Sequence, residues 1–173
     1  MSQFVHFWSE AKGKKPISKE LTTELGINEL DIKVLIDAEE VFVQKAIDDL
    51  AILMMLKFNK KKPIVFNTVQ MYRWDRLEYL KNLLNDKNNN DITFGFKLVR
   101  GAYMEKERLT AKSLNIKSPI CESKLETDVN FDSGLDFVFE NLNRISLVCG
   151  SHNEESVIKI MNIMKEMNID NND

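Results

Sequence analysis

The chain has 173 residues, 43% of them hydrophobic and 29% charged, with a formal net charge of −3. That fits one soluble globular domain, which typically holds roughly 100–200 residues. The slight acidic excess excludes a dominant nucleic-acid surface, which shows as clustered basic charge. No apolar run approaches the roughly 20 residues of a membrane span, and the first residues lack the charged-then-apolar pattern of a secretion signal. Cys121 and Cys149 are too few for a disulfide framework and have no zinc-site spacing, so reduced thiols in an intracellular compartment are expected.

In chain order, residues 1–30 read as a charged helical lead-in with no strand of their own, and residues 31–173 as one domain. Four short apolar or β-branched runs follow: "IKVLID" from residue 32, "PIVFNT" from 63, "GFKLVR" from 95 and "ISLVCGSH" from 145. Between them the apolar residues recur with a period near 3.6, the mark of helices. Helices are predicted over 39–57, 71–84, 102–114, 128–142 and 156–167, with "NDKNNND" a polar linker and "NIKSPI" a surface loop broken by Pro119. Strand then helix at regular spacing is the signature of parallel βαβ units, so the fold class is α/β.

Each predicted strand ends in residues a core would not choose: Asp37; Asn67, Thr68 and Gln70; Lys97 and Arg100; Ser151 and His152. Because side chains alternate faces, Phe96 and Leu98 face one side of their strand, and Lys97, Val99 and Gly101 the other. Ligands in parallel α/β folds bind at the C-terminal ends of the strands, so this convergence predicts a site. Plainer readings exist for most of these residues. Asp37 with Glu40 has the spacing of a helix capping box. Ser151 or Asn153 suits an N-cap, His152 suits a structural role, and Gln70 suits a loop amide. Lys97, between Phe96 and Leu98, is costly in a strand unless it meets an anion or solvent. Gly101 lets a ligand approach the backbone, or suits a turn.

Four motifs, "DAEE" (37–40), "FNTVQMY" (66–72), "KLVRGAY" (97–103) and "SHNEE" (151–155), together resemble the proline dehydrogenase family. The resemblance covers residue 32 to the C-terminus. It implies an FAD-dependent (β/α)8 TIM-type barrel that oxidises L-proline to Δ1-pyrroline-5-carboxylate and passes electrons to a quinone. This chain would supply about four of the parallel strands with their covering helices. On that resemblance Asp37 is the barrel aspartate near flavin and proline, and Ala38 lies against the isoalloxazine edge. Gln70 bonds the flavin pyrimidine, Lys97 stands close to flavin N5, and Val99, Arg100, Gly101 and Tyr103 line the cofactor. Ser151 and His152 lie near the phosphates and ribityl chain. "KLETD" resembles a further family element in which Lys124 and Thr127 hold the adenine half. The two cations of "KLVRGAY" then face a group that becomes anionic on reduction. Asp37 contributes electrostatics rather than removing a proton, and the proline nitrogen reacts unprotonated.

A complete barrel takes about 250 residues. The resemblance therefore implies the middle of a catalytic domain, with two open parallel sheet edges that invite self-association. It also implies peripheral membrane association, in the bacterial cytoplasm or on the inner-membrane face, or in a mitochondrion. The paired arginines that bind the proline carboxylate in the family have no counterpart in the sequence, so the chain alone is expected to be inactive. Two other readings stand beside this one. The first is a non-catalytic half-barrel remnant serving as an interaction module. The second is an unrelated barrel enzyme with Lys97 as a Schiff-base nucleophile.

Overall fold

The computed structural model describes residues 7–9 and 32–169. Its elements are β1 (Phe7–Ser9), β2 (Val34–Ile36), α1 (Val41–Phe58), β3 (Val65–Gln70), α2 (Arg76–Asn85), β4 (Phe94–Val99), α3 (Met104–Ser113), α4 (Lys124–Glu140), β5 (Ile145–Gly150) and α5 (Glu154–Glu166). All four predicted strands and all five predicted helices are present. Helix α4 starts earlier than the periodicity placed it, because the Ser123 hydroxyl caps it by accepting from the Glu126 N–H. The polar linker holds a short 3-10 turn over Lys87–Asn89.

The expectation that residues 1–30 carry no strand is corrected at Phe7–Ser9, which pairs antiparallel with β2. Three residues are too few to show a period, so the backbone pairing left no trace in the pattern. The rest of the helical lead-in lies outside the described residues. The sheet order is β1-β2-β3-β4-β5, with β2 to β5 all parallel. Strand β1 covers the outer edge of β2, so of the two open parallel edges expected, one remains among the described residues, along β5.

Register decides what each face of the sheet does. Val34, Ile36, Val65, Val69, Phe94, Phe96, Leu98 and Ile145 point to the helices and join Ala51, Met55, Leu80, Phe131, Leu135 and Val138 in one core. The alternate residues point the other way, where β3 and β4 pair Thr68 with Lys97 and Gln70 with Val99. Strands β4 and β5 pair Lys97 with Val148 and Val99 with Gly150. Deeper on that face Phe66 fills the space over Gly95, where an added Cβ would lie 2.8 Å from the Phe66 ring and 2.4 Å from the Val65 carbonyl oxygen.

Two buried polar groups tie helices to strands. Asp48 of α1 accepts from Gln44, Asn67 and Arg76. Asn59, the C-cap of α1 and fully buried, reaches both following strands. Its Oδ1 accepts from the N–H groups of Ile64 and Val65, and its Nδ2 donates to the carbonyls of Val65 and Thr93. Truncation would strand those backbone groups without water, at a cost of about 1–3 kcal/mol for each group left unpaired. Asn59→Ala is therefore expected to lower unfolding free energy by at least about 3 kcal/mol in chemical denaturation. A loss under about 1 kcal/mol would show that the four bonds are replaceable.

Candidate active site

A cleft of about 680 Å³ opens at the C-terminal ends of β2 to β5. Asp37, Ala38, Gln70, Lys97, Val99, Arg100, Gly101, Tyr103, Lys124, Ser151 and His152, all expected from the sequence, line it. Thr127 does not. It is buried in the first turn of α4, and its hydroxyl donates to the Ser123 carbonyl. Sequence reasoning missed Glu39 and Ala102 as lining residues, did not weigh Gly150 or Asn153 as part of the site, and named Thr68 as a polar strand-end residue without giving it a role. The period-2 alternation back from Gln70 was the signal available for Thr68.

The polar side chains are held by partners distant in sequence. Lys97 Nζ lies 3.0 Å from Asp37 Oδ1, bridging β4 to the loop after β2. Asp37 is thus committed to Lys97, and the capping box read from Asp37 and Glu40 does not form. Glu40 is the N-cap of α1, but its carboxylate makes no capping bond and accepts from Lys106 instead. The nearly buried Glu107 of α3 instead accepts from the Val41 N–H at 2.7 Å. On α5 the N-cap is Asn153, which accepts from the Ser156 N–H, while the Ser151 hydroxyl accepts from the Asn153 N–H.

Gln70 joins the loops that follow β2 and β4. Its Nε2 donates to the Glu39 carbonyl at 2.8 Å, and its Oε1 accepts from the Ala102 N–H at 3.4 Å. Gly101 has φ +133, a region that favours glycine, and an added Cβ would lie 2.4 Å from the Tyr72 ring. This glycine therefore serves packing as well as backbone conformation.

Arg100 is a clamp. Its Nε donates to Asp128, and its two terminal nitrogens donate to Ser151 and Ser156, tying β4 to α4 and α5. The guanidinium also stacks over Phe131 with its carbon 4.3 Å from the ring centre. Asp128 takes a second cation, Lys124, at 2.6 Å. Lys124 and Arg100 hold the Asp128 carboxyl below its ordinary range, against the opposing effect of burial.

At the mouth, the Tyr103 hydroxyl donates to Glu39 Oε2 at 2.9 Å. That bond, with burial adding to it, raises the phenol above its ordinary 10.0. Burial pushes Tyr72 up to about 12 and raises Tyr79 as well. Since all three phenols bind their protons more tightly when folded, stability is level below the unfolded value of about 10 and falls as pH rises through the folded values. In Glu39→Gln the charged acceptor is gone. One of the three tyrosines should then ionise at lower pH, read from the near-ultraviolet tyrosinate band, and Tyr103→Phe should remove that component. An unchanged titration curve in Glu39→Gln would overturn the assignment.

The family model described as proline dehydrogenase matches residues 20–173. "Proline dehydrogenase 1, mitochondrial" of Caenorhabditis elegans is 35% identical over 143 residues, which cover 80% of this chain and 23% of the relative. "Hydroxyproline dehydrogenase" of Xenopus laevis is 36% identical over 143 residues, covering 80% of this chain and 31% of that one. The chain spans about a quarter to a third of the length of these relatives. The crystal structure of proline utilization A from Bdellovibrio bacteriovorus, inactivated by N-propargylglycine, superposes with a TM-score of 0.73 at 24% identity, covering 80% of this chain and 14% of that one. That agreement establishes a shared α/β barrel-type fold. With the motifs gathered on one cleft and the family model matching nearly the whole chain, this protein belongs to the proline dehydrogenase family.

Proposed function

We propose that this chain forms the flavin-holding part of a proline dehydrogenase site, in which L-proline is oxidised to Δ1-pyrroline-5-carboxylate and the electrons pass to a quinone. The observation that carries this reading is the convergence of Asp37, Gln70, Lys97, Ser151 and His152 on one strand-end cleft, in a chain of this family.

The residues present suit FAD. The cleft lies within the usual ligand-pocket range of about 300–1,000 Å³. Its floor is kept low by Gly150, where an added Cβ would come within 2.9 Å of Val99 Cγ1 and 3.5 Å of Lys97 Cε. Ala38, Gln70, Val99, Gly101 and Tyr103 would line the ring system, and Ser151 and His152 the phosphate-bearing chain. Lys124 would meet the adenine end, with Thr127 acting through the first turn of α4. Bound there, FAD supplies the hydride acceptor that the oxidation requires.

The chain's own groups set the electrostatics. Lys97 is a fixed cation on the cleft floor, and Asp37 positions its ammonium rather than removing a proton from substrate. This pairing is unlike the apolar pocket that activates a nucleophilic lysine, which weighs against the Schiff-base reading. Among the described residues Arg100 is the one guanidinium lining the cleft, and three of its nitrogens are bonded within the chain. It is therefore not available as a bidentate fork for the substrate carboxylate.

Among the described residues no helix is long and apolar enough to cross a membrane. Electrons would reach the quinone through peripheral membrane contact, in a mitochondrion or at a bacterial inner membrane. The chain incubated with FAD and freed of excess should keep a flavin spectrum. Anaerobic L-proline should leave that colour in place, and dithionite should remove it. Loss of all FAD on washing would overturn the flavin reading and favour the non-catalytic one. Bleaching by proline would instead reveal a carboxylate-binding group other than Arg100.

A further inference from the structure

Among the described residues, Thr68 is the one lining residue of the cleft whose buried polar atom has no partner. It is 4% exposed, it lines the cleft, and its Oγ1 makes no hydrogen bond. Its position is fixed by the ladder, which sets it beside Lys97 in a parallel pair. The neighbouring polar groups are engaged elsewhere. Lys97 holds Asp37, and both ends of the Gln70 amide are bonded to the flanking loops. A buried hydroxyl without a partner costs folding free energy, and valine would fill the same shape without that cost.

We propose that the Thr68 hydroxyl is a flavin contact on the cleft floor, donating its hydrogen bond to an electron-rich oxygen or nitrogen at the ring edge that also faces Lys97. The assignment rests on the flavin reading above and sharpens it. Gln70, the residue the motif singles out for this bond, is held in place by Glu39 and Ala102 and keeps one amide N–H over, and beside it the Thr68 hydroxyl has no partner at all. Donation rather than acceptance follows from Lys97, because an ammonium in the same row draws the electron-rich edge of a ligand towards it. A bond to an atom that gains charge on reduction also favours the reduced form, so Thr68 and Lys97 act in the same direction.

Two readouts of opposite sign test the proposal on the 173-residue chain. Thr68→Val should weaken FAD binding about 5- to 20-fold, the loss expected for one hydrogen bond to a buried partner. The same substitution should leave the midpoint of thermal unfolding without FAD unchanged or higher. Thr68→Ser, which keeps the hydroxyl, should bind within about twofold of the parent. Equal FAD affinity in parent and Thr68→Val overturns the proposal while leaving the flavin reading intact. So does a Thr68→Val chain that binds weakly and also unfolds at lower temperature without FAD, because the hydroxyl would then belong to the chain's own bonding. A parent chain that binds no FAD removes the reading and the proposal together.

Discussion

Everything at the strand-end cleft depends on one constraint, the alternation of side chains along strands that run parallel in unbroken register. A parallel partner points the same way as the residue it pairs with. Thr68, Lys97 and Val148 therefore form a row on one face, while Asn67, Phe96 and Leu147 face the helices. A shift of one residue would exchange the two sets, placing an ammonium in the apolar core and phenylalanines on the cleft floor. The core residues at alternate positions of β2 to β5 thus fix the site as firmly as any residue within it.

Above that floor, the site is held by bonds between loops rather than within them. Gln70 links the loop after β2 to the loop after β4, and Glu39 and Tyr103 link the same two loops farther out. Glu107 caps α1 from α3, and Arg100 spans from β4 to α4 and α5. Each of these contacts joins residues far apart in sequence. Each therefore transmits the geometry of the sheet to the rim and reduces the freedom the rim would lose on binding a ligand. The cations at the site follow the same logic. Lys97, Arg100 and Lys124 are all paired with carboxylates, so the cleft offers oriented charge without a free positive cluster.

Most of the architecture could be read from the sequence because periodicity is a local property. The four parallel strands and five helices announce themselves in period-2 and period-3.6 patterns, and the polar residues at the strand ends mark the rim. What escaped the sequence is non-local or too short. Strand β1 has three residues and exists only through its partner. Asp37 and Glu40 carry the letters of a capping box, yet an ion pair from a distant strand takes Asp37 and a distant glutamate does the capping. Thr127 shares a motif with Lys124 but is buried, its short side chain tied to the Ser123 carbonyl in the first turn of α4, while the longer Lys124 reaches out to Asp128. Thr68 stands in the quoted motif, and its hydroxyl is both buried without a partner and part of the cleft lining, which coordinates reveal and letters do not.

The ladder that lines up the cleft also governs how the chain reaches it. Residues that pair across neighbouring parallel strands are separated by at least one complete helix, and Lys97 and Val148 by two helices and the loop between them. Each strand pair can thus form only after a long closure has been made, and a long closure costs entropy before any ladder bond returns it. Such a chain folds slowly compared with one built from hairpins. In the finished fold the Asn59 side chain holds two of those closures at their base, joining the end of one helix to the starts of the next two strands.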